Sequence, residues 1–152
     1  MKRKITTFFT LFFAALFSVL TVVSCAPQGE TKAVSLESVT ETMIVMKVDE
    51  AEENASALSA LTKLKDEGLI DFTVQESTYG AYIISINGKA EESGATSGYS
   101  WMLYTSDEEF STTEFGTVEY GGVAYGQASL GASSLIVKAG EYYIWYYTPW
   151  SF

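Results

Sequence analysis

Two short runs near the middle of the chain most constrain its fold. In YIISI, residues 82–86, Tyr82, Ile84 and Ile86 alternate with Ile83 and Ser85. In YSWMLY, residues 99–104, Tyr99, Trp101 and Leu103 alternate with Ser100, Met102 and Tyr104. Alternation with a period of two, carried by aromatic and β-branched residues, is the pattern of a strand. Asn87-Gly88 ends the first run with residues that accept positive φ. The spacing predicts that the two runs pair as a central hairpin, with the polar stretch 89–98 as the loop between them.

The flanking segments are placed around that pair. Residues 42–48, TMIVMKV, are apolar on both faces and predict an interior strand. Asp49 is expected to open a helix, with Glu50, Glu52 and Glu53 in its first turn and Lys63 and Lys65 in its last, a polarity that complements the helix dipole. Ala57, Leu58, Leu61 and Leu64 form its apolar stripe, and Gly68 is the expected residue just past its end. Residues 72–74 predict a short strand. Residues 141–147, EYYIWYY, predict a last strand that is aromatic on both faces. One core cannot receive all of those rings, so some must meet solvent, a partner or a ligand. The glycine- and tyrosine-rich stretch 115–134 is either a binding loop or an excursion from an edge strand. The fold class expected is α+β, antiparallel sheet with one helix packed on a face.

The first residues have a different character. Lys2, Arg3 and Lys4 precede a nearly unbroken apolar run from Phe8 to Val23, the layout of a secretory signal peptide. Its ending, Val22-Val23-Ser24-Cys25, resembles the lipobox of bacterial lipoproteins. That resemblance implies removal of residues 1–24, diacylglyceryl modification of the Cys25 thiol, and a membrane-held protein on the extracytoplasmic face. Two acyl chains suffice for stable anchoring. Residues 26–40, polar and without periodicity, are expected to form a tether reaching about 50 Å at ~3.3 Å per residue. The domain itself is expected over residues 41–152.

Composition removes several kinds of chemistry. The chain has no histidine, one cysteine, and no arginine beyond Arg3. Triad catalysis and imidazole-bound zinc are therefore excluded, as is an internal disulfide. No Gly-Lys phosphate cradle is present, and nothing in the sequence pairs two carboxylates for glycoside hydrolysis. The acidic turn Asp107-Glu108-Glu109 lacks the alternate-position ligands of a calcium loop. Loss of Lys2, Arg3 and Lys4 would take the formal charge from −10 to −13, a surface that repels nucleic acid. What remains is aromatic surface, with ten tyrosines and three tryptophans available for packing or recognition. The expectation is a non-enzyme.

Residues 82–88 (YIISING), 98–104 (GYSWMLY) and 137–141 (VKAGE) before an aromatic strand resemble one family. It comprises the bacterial relatives of the C-terminal β-domain of transcobalamin and intrinsic factor. Two positions depart from its pattern: Glu141 stands where an Asp is usual, and Thr105-Ser106-Asp107 replaces an Asn-Gly or Asp-Gly turn. The resemblance implies a surface-tethered module that binds cobalamin or another corrinoid as ligand rather than cofactor, with a transporter or surface protein as partner. By motif it carries over Trp101 and Tyr104 as core or pocket-wall residues. The residues themselves add Tyr120, Tyr125, Gln127 and Trp150 as neutral, flat or hydrogen-bonding contacts. The alternative is a protein-interaction or adhesion module contacting its partner through the Tyr/Gly-rich segment, or a carbohydrate-binding aromatic platform.

Overall fold

The computed structural model describes residues 29–78 and 80–152. The expected signal peptide and the expected lipidation site, Cys25, lie outside the described residues. Among the described residues no helix is long and apolar enough to cross a membrane.

The framework is a seven-stranded antiparallel sheet. Strands β1 (Thr31–Val39), β2 (Met43–Ala51), β10 (Tyr142–Ser151), β7 (Ser97–Thr105), β9 (Val123–Ala128) and β8 (Ser111–Tyr120) lie side by side in that order, and β6 (Glu92–Ser93) adds a short pairing to β7. A second sheet holds β3 (Phe72–Ser77), β4 (Gly80–Ile86) and β5 (Lys89–Ala90). One helix, α1 (Ala57–Asp66), packs against β1. The α+β class with antiparallel sheet follows from this layout.

Strand β10 is the spine. It pairs with β2 through Ile144↔Val45 and Trp145↔Ile44, and with β7 through Trp145↔Leu103 and Tyr147↔Trp101. Each of its faces feeds a separate core. Tyr143, Trp145 and Tyr147 enter the larger one with Ile44, Met46, Val48, Trp101 and Leu103, roofed by Leu61 and Leu64 of α1 and by Ile83 and Ile86 of β4. Ile144 enters a smaller cluster on the opposite face with Val45, Tyr104, Val118 and Tyr125. A strand buried on both sides needs large apolar residues at consecutive positions, which is why the alternation fails in residues 142–147.

Four expectations are corrected. Residues 82–86 and 99–104 do not pair as a hairpin, because β4 and β7 belong to different sheets. The Asn87-Gly88 turn, with φ of 49° and 80°, instead folds β4 back onto β5. Residues 31–39 are not a tether but an edge strand, paired from Thr31↔Ala51 to Val39↔Ile44. That ladder also holds Asp49, Glu50 and Ala51 extended, so the helix starts later. Its N-cap is Ser56, whose Oγ accepts the Ser59 N–H at 3.2 Å, and no acid lies in its first turn. Lys63, Lys65 and Gly68 sit at its C-terminal end as expected. Finally, residues 115–134 are largely a hairpin arm, β8–β9, turning at Gly121-Gly122 and joined to β7 through Tyr104↔Gln127 and Thr105↔Gly126.

Candidate functional site

The acidic turn after β7 proves to be structural. Asp107, buried, accepts the Glu109 N–H at 3.1 Å and lies 2.9 Å from Lys138 Nζ, which also reaches Glu109 at 2.7 Å. These two carboxylates, Glu109 foremost, hold the Lys138 ammonium well above the usual lysine range. Ser106 Oγ donates to Glu141 and accepts the Tyr142 N–H at 2.8 Å. The stretch 137–141 thus anchors the turn to β10. Among the described residues no group of three or more acids, histidines or cysteines converges on a point that suits a metal.

The expected ligand residues fall into three separate places. Tyr104 and Tyr125 are buried in the smaller core. Tyr104 Oη lies 3.2 Å from Thr148 Oγ1, and the Tyr125 and Tyr120 rings lie 6.1 and 6.4 Å from that of Tyr142. Burial raises the pKa of the Tyr125 hydroxyl. Trp150 lies at the far end of β10, its Nε1–H donating to Ser100 Oγ at 3.1 Å and its ring lying over Gly98. A Cβ at Gly98 would come within 2.5 Å of that indole, so the close approach requires glycine. Beside Trp150 an open groove of about 610 Å³ runs past Glu92 and Ser97. Trp101 and Gln127 both line a third site.

That third site is a cleft of about 230 Å³ between β4 and β7, closed at one end by residues 127–132. Its position follows from a break in the ladder on the outer edge of β7. There β6 pairs with Gly98 and Tyr99, and β9 pairs with Tyr104 and Thr105. Among the described residues Ser100–Leu103 has no strand partner on that edge. Ala81, Tyr82 and Ile83 of β4 form the facing wall. Tyr82, 38% exposed, sets its hydroxyl beside Ser100 and Glu91, and partial burial raises its pKa. Trp101 is fixed by its Nε1–H bond to the Lys89 carbonyl at 2.9 Å.

Trp145 lines the same cleft. It is 3% exposed, and its Nε1–H is buried with no hydrogen-bond partner. Leaving such a donor unmet costs about 1–3 kcal/mol. No side chain lining the cleft carries a formal charge, in a chain whose net charge is −10. Tyr82, Leu130 and Trp145 were not among the ligand residues expected from the sequence, where Tyr82 entered as a strand residue and Trp145 as one ring of the doubly aromatic last strand. For Trp145 one signal was present: it shares the parity of Tyr143 and Tyr147 along β10, which puts it on the face that β4 covers.

Comparison with protein-family models, with curated proteins and with solved structures finds no match for this chain.

Proposed function

We propose that this domain is a non-catalytic binding module, held at the extracytoplasmic face of a bacterial membrane by lipid on Cys25, and that the cleft between β4 and β7 is where it takes its ligand. The observation that carries this reading is a concave, aromatic-walled site without formal charge in a strongly acidic chain. Ligand sites combine apolar walls with a few fixed polar groups, and this cleft supplies Trp101, Tyr82 and Gln127 in that pattern. Its volume lies below the roughly 300–1,000 Å³ of pockets that enclose whole small molecules. A corrin ring does not enter such a space, whereas one amide arm from its rim does. Corrinoid binding therefore takes the form of edge contact, with affinity no tighter than about micromolar, near −8 kcal/mol.

The test is calorimetric titration of the full chain, in mild detergent, with cobalamin, cobinamide and a panel of small neutral compounds. Saturable heat with any of them supports the module. No heat with any at millimolar concentration removes the small-ligand reading.

A second reading has its own support. Met43, Met102, Tyr120, Tyr142 and Tyr146 lie half-buried on the sheet face away from the helix, beside the β8–β9 arm. Tyrosine and methionine are enriched in protein interfaces. Under this reading the partner is a protein, and Tyr146→Ala weakens its capture by more than the accompanying loss of thermal stability accounts for.

A further inference from the structure

We infer that the cleft beside the open edge of β7 selects a neutral ligand group bearing one hydrogen-bond acceptor, a carbonyl on an apolar body, and that the Nε1–H of Trp145 is the donor that receives it. The inference rests on the binding-module reading and narrows it to a ligand class.

The three tryptophans provide an internal comparison. Trp101 donates to the Lys89 carbonyl and Trp150 donates to Ser100 Oγ. Trp145 alone among them has its N–H buried without a partner, and it lines the cleft. Buried polar groups are nearly always satisfied, so an unmet donor beside a cavity marks a place where something else completes the bond. An indole N–H is donor only, which fixes the missing atom as an acceptor.

The cleft sets the remaining terms. With no cation in its lining and a net charge of −10 around it, it offers an anion nothing. A cation entering would lose its hydration with no carboxylate in the lining to replace it. The rings of Tyr82 and Trp101 favour a flat or apolar body. About 230 Å³ admits one such group and little more.

The experiment follows the three indole N–H signals of the ¹⁵N-labelled full chain during titration with acetanilide, toluene and benzoate. The Trp145 signal is assigned from its contacts with Leu103 protons and by its loss in Trp145→Phe. The expected result is a saturable downfield shift of the Trp145 signal with acetanilide, none with benzoate, and no downfield shift with toluene. Trp145→Phe should weaken acetanilide binding roughly five- to tenfold, the worth of one hydrogen bond. Leu130→Trp, at a position 39% exposed on the rim, should narrow the cleft and weaken acetanilide while the fold is retained. If the calorimetric panel yields a ligand but no carbonyl compound moves the Trp145 signal, this inference is overturned and the module stands. If neither titration registers any compound, both fall.

Discussion

Tyr143 carries the clearest pH signature of any single residue. Burial is the main cause that pushes its hydroxyl up to about 12, and its oxygen accepts the Lys138 N–H at 2.9 Å. In the unfolded chain a tyrosine ionises near pH 10. Between about pH 10 and 12 the unfolded state has therefore released a proton that the native state keeps. The unfolded state binds fewer protons, so stability falls as pH rises through that window. Tyr82, Tyr125 and Tyr147 shift in the same direction, each chiefly through burial. Lys138, raised by its carboxylates, adds to the same alkaline limb, its contribution being complete below the ordinary lysine pKa and lost above it. Urea midpoints should hold to about pH 9 and then decline, and Tyr143→Phe should flatten part of that decline. Tyrosinate absorbance would contradict this if the component lost in Tyr143→Phe titrated at the ordinary value of about 10.

At the scale of the element, β7 and the β8–β9 arm make opposite demands on mutagenesis. Trp101→Ala should cost about 3–5 kcal/mol, since the ring is 2% exposed between Tyr147 and the core. Tyr125→Ala should also destabilise, on the order of 3 kcal/mol, because Tyr125 seals the smaller core. Chemical denaturation checks both. A Tyr125→Ala variant with an unchanged midpoint would return that residue to the surface.

The strands 42–48 and 141–147 were legible because burial on both faces leaves an unbroken apolar run, whichever neighbours provide the cover. The helix body and its C-terminus were legible because capping and charge are local. The partners of the strands were not. Nothing within YIISI says that its pairing partners are residues 72–75 and 89–90 rather than 99–104, because alternation reports a face and not a neighbour. Strand β1 was missed for a related reason: VSLES offers weak alternation and many polar residues, as an exposed edge permits. The candidate site was legible only at Trp101 and Gln127, since a cleft formed where a ladder breaks depends on pairings that local pattern does not encode.

For the whole molecule, the proposed lipid anchor and the edge strand can be tested together. Cys25→Ala should release the protein from the membrane fraction or leave its precursor uncut. Fractionation and migration identical to the wild type would remove the lipid anchor from the account. Hydrogen exchange should show slowed amides within 31–39, on the side paired with β2, where a tether would exchange freely. Rapid exchange throughout that stretch would put the start of the domain back near residue 41.

The position of β10 bears on when the protein can fold. The last strand of this sequence is flanked on one side by β2 and on the other by β7, so two groups of strands made earlier have no common partner until it arrives. Until β10 is in place, both larger parts of the sheet stay incomplete. Closure then depends on contacts separated by up to about a hundred residues, of the kind that slow folding. A product cut short before Tyr142 lacks the strand that supplies Tyr143, Trp145 and Tyr147 to one core and Ile144 to the other, and is an early substrate for proteolysis.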